Sequence, residues 1–170
     1  MNSTEEIISL SRTNTKLGLI KLSASAKGLI RLTFLNKSEN QNPETTSPGW
    51  MEDALDQVCA FLQGDKKEFD IPIDWDSFSP FQKAILQACY SIPFGKVLTY
   101  AELGNKAGKP NSSRAVGGVM ARNPIPLIIP CHRVISADKK LHGYSAPGGL
   151  ETKAWLLKLE GHKIVNQKLD

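Results

Sequence analysis

The chain has 170 residues, enough to bury a core without a disulfide or metal staple, in one domain or two small ones. The opening MNSTEEII is acidic where a secretory leader is basic, and no apolar run approaches the length of a bilayer span, so a cytoplasmic protein is expected. Cys59, Cys89 and Cys131 form no C-x-x-C pair, and with His132, His142 and His162 they lack zinc-site spacing; reduced thiols and no bound metal are expected.

The net charge of +4 hides an asymmetry. Residues 1–76 carry 8 Lys/Arg against 12 Asp/Glu, a net of −4, whereas residues 77–170 carry 13 against 5, a net of +8. Such a C-terminal half suits a polyanion, although a solvated basic face gives the same count.

Residues 16–24 and 28–35 read as two short strands, Ile30, Leu32 and Phe34 alternating with Arg31 and Thr33, with Lys27-Gly28 in the turn between them. The polar stretch 36–47 reads as an exposed loop. Ser47 is placed to cap a helix with Pro48 at its first position, carrying Met51, Leu55, Val58 and Leu62 on one face and stopping at Gly64; Cys59 falls beside that stripe as a small buried hydrophobe. Residues 70–80, DIPIDWDSFSP, read as an extended inter-domain connection. The domains expected are therefore 1–76, a small α/β unit with its linker, and 77–170.

Ser79-Pro80 repeats the cap-plus-proline signal ahead of a helix that places Phe81, Ile85 and Cys89 on one face until Pro93-Phe94-Gly95 turns the chain. Thr99-Tyr100-Ala101-Glu102 has the form of a capping box, opening a short helix that Gly108 and Pro110 end, and a second helix follows from about Ser112 to Arg122. Two short helices around a Gly- and Pro-containing turn, in a basic half, suggest a helix-turn-helix. Gly117-Gly118 inside the second helix cost roughly 1 kcal/mol each relative to alanine, which calls for either close helix packing or close approach to DNA. The apolar run Ile125–Pro130 is expected to be buried and to deliver Cys131 to a fixed place.

Cys131-His132-Arg133-Val134 puts a potential nucleophile beside a base and a cation, either of which lowers a thiol's pKa when close. Adjacency in sequence does not itself bring the side chains together.

The stretch NPIPLIIPCHRVI, then Gly143-Tyr144-Ser145 and TKAWLLKLEGH, resembles the O6-alkylguanine-DNA alkyltransferases, whose hallmark is Pro-Cys-His-Arg-Val. The likeness extends upstream through Ile92–Val97, Thr99-Tyr100 and Ser113–Gly118, covering about residues 78–163 with ordered motifs; residues 1–76 are similar only in kind. The implied fold is α+β, a small N-terminal α/β domain followed by a helical C-terminal domain with a winged helix-turn-helix.

The resemblance implies single-turnover, irreversible transfer of an alkyl group, methyl above all, from O6-alkylguanine to Cys131, with O4-alkylthymine as a further candidate lesion. It implies that His132 draws off the thiol proton through a water, that Glu160 orients His132, that Asn123 braces the turn from the recognition helix to the cysteine strand, and that Tyr100 donates a proton to the departing base. It also implies that Arg114 fills the gap left by a flipped base in the minor groove of double-stranded DNA. Thr99, Ser113, Ala115, Gly117 and Gly118 would lie against the DNA, while Met120, Val134, Tyr144 and Ser145 would wall the pocket. No cofactor is implied, and the protein is expected to be a monomer. Tyr144–Gly149 is two residues longer than the commoner family form, and this loop borders the implied pocket. The competing readings are a non-catalytic binder of alkylated DNA, a cysteine hydrolase using Cys131, His132 and Glu160, and a plain winged-helix module.

Overall fold

The structure is a computed structural model that describes residues 8–35 and 48–170, so the expected loop at 36–47 and the Ser47 cap lie outside the described residues. No helix among the described residues is long and apolar enough to cross a membrane. The chain divides into two compact units, Met1–Ser77 and Phe78–Asp170.

In the first unit, β1 (Ile8–Thr15), β2 (Gly18–Ser25) and β3 (Gly28–Leu35) form an antiparallel sheet in the order β1-β2-β3. The expected hairpin is β2–β3, with Ser25 paired to Gly28 across its turn; β1 was not anticipated, because ISLSRTNT offers only a short apolar alternation. Helix α1 (Gly49–Gln63) packs on this sheet and buries Met51, Leu55, Val58 and Leu62 as their spacing requires, each such side chain contributing roughly 1.5–3 kcal/mol on full burial. Pro48 is the N-cap of α1 rather than its first helical residue, and Cys59 is half-buried rather than core.

Residues 70–80 do not behave as a free connection. Leu29 N–H donates to Pro72 O at 2.8 Å and Asp74 N–H to Leu29 O at 3.0 Å, so the segment is fastened to β3 at a parallel bridge between Leu29 and Ile73. Gly28 permits this approach: its φ is +147°, and a Cβ there would stand 2.8 Å from Pro72 O. The buried Asp74 carboxylate accepts from Ser25 Oγ at 2.6 Å, closing the same junction.

The second unit is mostly helical. Helix α2 (Pro80–Tyr90) opens with a capping box between Ser79 and Gln82. β4 (Leu98–Thr99) leads directly into α3 (Tyr100–Lys106), whose capping box joins Thr99 and Glu102, and α4 (Ser113–Ala121) follows a turn over residues 107–112 and packs on α3. β5 (Val134–Ile135) pairs in parallel with β4, Leu98 against Val134 and Thr99 against Ile135. α5 (Leu150–Leu159) and the hairpin of β6 (Ile164–Val165) and β7 (Lys168–Leu169) complete the unit. The run Ile125–Pro130 is buried as expected but is not a strand: Leu127 has a φ of +72°, and Cys131–Arg133 form a 3-10 turn before β5 begins. The expected cysteine strand is thus a buried irregular loop ending in a tight turn.

Candidate active site

Cys131 is the first residue of that 3-10 turn and is 5% exposed. The loop delivering it is braced by Asn123 at the end of α4: its Nδ2 donates to Ile129 O at 2.8 Å, and its Oδ1 accepts from Ile125 N–H at 3.0 Å. One buried amide thereby satisfies backbone groups at both ends of a loop that has no strand ladder to do so. The Asn123 side chain also favours the Cys131 thiolate.

The turn sends His132 into the interior, where it is fully buried and its Nε2 lies 2.7 Å from Glu160 Oε1. Glu160 caps the C-terminus of α5 and is held by two further residues. Arg133 Nε donates to both carboxylate oxygens at 3.0 Å, Arg133 Nη2 lies 3.0 Å from Oε1, and Gly95 N–H donates to Oε2 at 3.0 Å. Gly95 has a φ of +73°, and a Cβ there would come within 3.3 Å of Glu160 O, so both the left-handed backbone and the close approach favour glycine. Arg133 is fixed in turn by Nη1 donating to Ile92 O at 2.6 Å and by its guanidinium lying 5.9 Å from the centre of the Phe94 ring. The Ile92–Gly95 segment therefore supplies the support for Glu160.

These contacts settle the protonation states. Burial opposes a charge on Glu160, but hydrogen bonds and charges from His132 and Arg133 outweigh it and hold the carboxyl at about 2, so it is ionised. Burial lowers the His132 pKa against the pull of Glu160, so the ring is neutral near pH 7. A neutral ring facing a carboxylate carries its proton on Nε2 and donates it to Glu160. Nδ1, also buried, then carries the lone pair of the ring.

Burial raises the Cys131 pKa, although Asn123, the Lys153 charge and the N–H groups of Cys131 and His132 favour the thiolate. Adjacency to His132 and Arg133 in sequence therefore does not by itself lower the thiol. Arg133 spends its charge on Glu160, and the resting group is a thiol that ionises when its proton is taken.

Lys153 was missed by the sequence reading. It is 1% exposed, donates through Nζ to Val134 O at 2.6 Å and His142 O at 3.0 Å, and has its pKa lowered to about 8 by burial against the favourable influence of the Cys131 and Cys89 thiolates. The signal was available: Lys153 shares a helix face with Leu150, Leu157 and Glu160, an apolar face where an unpaired lysine is out of place.

Tyr100 stands at the start of α3, its hydroxyl pKa raised by burial and then by the Cys131 charge. Its ring lies over α4, because a Cβ built on Gly117 would meet Tyr100 Cδ1 and Cε1 at 4.0 Å. Tyr144 packs edge-on against His132 with ring centres 6.4 Å apart, and its hydroxyl is buried without a hydrogen bond. Met120 and Val134 are buried, whereas Ser145 is exposed on the loop after Tyr144.

Ser113, Arg114 and Ala115 are exposed on the first turn of α4, with Gly117 and Gly118 half-buried farther along. Neither glycine is demanded by packing inside the protein. The space over Gly117 accommodates a methyl group, and the nearest obstacle over Gly118 is the mobile end of Arg122 at 3.1 Å. The Thr99 hydroxyl is committed to its cap, accepting from Glu102 N–H at 3.2 Å. Among the described residues, no three His, Cys, Asp or Glu side chains are grouped to hold a metal ion.

Comparison with known proteins accounts for both units. Residues 9–75 match the 6-O-methylguanine DNA methyltransferase ribonuclease-like domain, and residues 80–162 match the DNA binding domain of 6-O-methylguanine DNA methyltransferase. A methylated-DNA--protein-cysteine methyltransferase of Methanosarcina acetivorans is 39% identical over 152 residues, covering 85% of this chain and 93% of that protein. One from Mycolicibacterium paratuberculosis is 37% identical over 153 residues, covering 86% and 88%. Among solved structures, Mycobacterium tuberculosis O6-methylguanine methyltransferase aligns with a TM-score of 0.72 at 35% identity, covering 89% of this chain and 92% of that one. A Mycobacterium tuberculosis OGT in complex with DNA aligns at 0.75 and 34%, covering 90% and 92%.

Proposed function

Because the chain belongs to the 6-O-methylguanine DNA methyltransferase family, we propose that it repairs DNA by direct reversal, moving the alkyl group of an O6-alkylguanine onto Sγ of Cys131. The observation that carries this assignment is the buried relay in which Glu160 fixes the His132 tautomer at 2.7 Å beside a buried cysteine. Nδ1 of His132 takes the thiol proton through a water, and the sulfur attacks the saturated carbon bound to O6. The C–S bond forms as the C–O bond breaks, and the electron pair of the broken bond leaves with the guanine. Tyr100 gives a proton to the ring as the base departs and is restored from the imidazolium, so the thiol proton ends on guanine. The product thioether is not reversed by thiol exchange, and each molecule acts once.

An in-line approach to O6 is closed inside a duplex, so the base is turned out at a cost of a few kcal/mol. Helix α4, as the second helix of a helix-turn-helix, enters the minor groove of double-stranded DNA, with Arg114 occupying the space the base leaves. Ser113, Ala115, Gly117 and Gly118 let the helix backbone lie close, in keeping with glycines that internal packing does not require. Thr99 borders the same surface, Met120, Val134, Tyr144 and Ser145 line the base pocket, and O4-alkylthymine is the second lesion offered to it. The protein acts as a cytoplasmic monomer with reduced thiols.

Intact-protein mass spectrometry after incubation with a methylated duplex tests this reading. One methyl added per chain and mapped to Cys131 is the expected result, and an unchanged mass excludes it. A Cys131→Ser variant binds the duplex and takes up nothing. Release of many product molecules per protein would instead favour the cysteine hydrolase.

A further inference from the structure

The second unit carries another basic feature, built where the turn after β5 meets the β6–β7 hairpin. Lys139 in the first turn has a φ of +63°, and Asn166 and Gln167 in the second have φ of +50° and +56°, as the tightest hairpin turns require. The turns are joined by Leu141 N–H donating to Gln167 O at 2.9 Å and Leu169 N–H donating to Lys139 O at 3.0 Å. Beneath them Leu141, Ile164 and Leu169 join Ile135 and Leu157 in an apolar cluster, so both stand on a packed base. They enclose an open groove of about 590 Å³ lined by Lys139, Lys140, Lys168, Val165, Leu169 and Asp170.

The charges in this groove do not balance internally. Asp170 is held by Lys163 at 2.6 Å, and Asp138, ionised with a pKa of about 2, pairs with Lys140 at 3.4 Å. Lys139 and Lys168 have no carboxylate partner among the described residues. Lys140 and Lys168 are also direct partners in an antiparallel bridge, where like charges are unfavourable. Val165, half-exposed at 50%, adds an apolar surface of the kind that lies against a sugar face.

We propose that this groove binds the phosphodiester backbone of the same duplex whose base is presented to Cys131, adding phosphate contacts beyond those of helix α4. The proposal rests on the alkyl-transfer reading only for the identity of the duplex. Lys139 follows Cys131 by eight residues. That chain spans at most about 29 Å, fewer than nine nucleotides at about 3.4 Å per step, so one duplex of modest length reaches both. The parallel pairing of β5 with β4, which runs straight into α3, holds this groove and the helix pair in one body.

The test is duplex binding measured by fluorescence anisotropy across a KCl series, for the wild type, the K139Q/K168Q variant, and K158Q, which removes an exposed charge on α5 away from the groove. Each phosphate contact contributes about 0.9 to the slope of log affinity against log salt, so K139Q/K168Q is expected to lower the slope by about 1.8 while K158Q leaves it unchanged. Uptake of benzyl from free O6-benzylguanine should be the same in all three. An unchanged slope in K139Q/K168Q overturns the proposal, as does an unchanged slope with loss of wild-type self-association in sedimentation, which would assign the groove to a second copy. A reduced slope in a protein that takes no methyl from damaged DNA would keep the groove and reject the alkyl-transfer reading.

Discussion

His132 Nε2 and Glu160 Oε1 lie 2.7 Å apart with both side chains sealed from solvent. Replacing Glu160 with glutamine keeps the shape but leaves Arg133 without its counter-charge and frees the imidazole to change tautomer. A Glu160→Gln variant is expected to lose about 10²–10⁴-fold in alkyl-transfer rate, the range of a disabled general base, and about 3–5 kcal/mol of stability from a broken buried pair. Single-turnover kinetics and urea unfolding check the two losses separately.

The same pair gives a pH dependence with a defined sign. The folded Glu160 pKa is about 2, below its ordinary 4.5, so its contribution to stability is complete above 4.5 and is lost as pH falls toward 2. His132 is also lowered, so the unfolded chain binds its proton first and stability declines further as pH falls through 6.5. The acid limb of the transfer rate is expected below pH 6.5, where the folded imidazole takes up its proton. A limb centred at or above 6.5 contradicts the neutral His132 assigned here.

Gly117→Ala separates helix packing from DNA approach. A Cβ meets nothing closer than the Tyr100 ring at 4.0 Å, so the variant is expected to gain about 0.5–1 kcal/mol in stability from the removal of a helix-interior glycine. Duplex affinity is expected to fall while reaction with free O6-benzylguanine persists. A melting temperature below the wild type's would mean that the glycine serves the fold.

Arg114→Ala is expected to slow repair of duplex DNA far more than reaction with free O6-benzylguanine, because only the duplex requires a base to be extruded. Equal losses on the two substrates remove the wedge role from Arg114.

Lys153→Met keeps most of the volume but removes the donor to Val134 O, which is buried, and to His142 O, which belongs to an exposed residue. The variant is expected to lose about 1–3 kcal/mol of stability from the stranded Val134 carbonyl and to react more slowly, since a cation that favours the Cys131 thiolate is gone. Unfolding and single-turnover rates measured together would reveal a loss of one without the other.

The helices were legible because their signals are local: Ser79 and Thr99 cap where their motifs place them, and Met51, Leu55, Val58 and Leu62 share the face their spacing dictates. Strand β1 was not, since its apolar alternation is short, and neither was the docking of residues 71–74 on β3, which depends on a partner more than 40 positions away. The cluster around Cys131 was readable only through its motif likeness. His132 and Glu160 are 28 residues apart, and nothing in their local spacing brings them together. The direction of the thiol's pKa shift was not legible, because burial, a property of the folded whole, outweighs Asn123, Lys153 and the backbone N–H groups that favour the thiolate.

Asn123 gives the molecule a fixed calibre. By tying both ends of the loop between α4 and the cysteine turn, it sets the span from that helix to the waiting sulfur. On the proposed reading, any purine turned out of the stack meets the sulfur at one fixed reach, damaged or intact, and only one with a carbon on its oxygen has anything to surrender. Discrimination would then belong to bond-making itself, leaving the scaffold free to inspect ordinary bases without harming them.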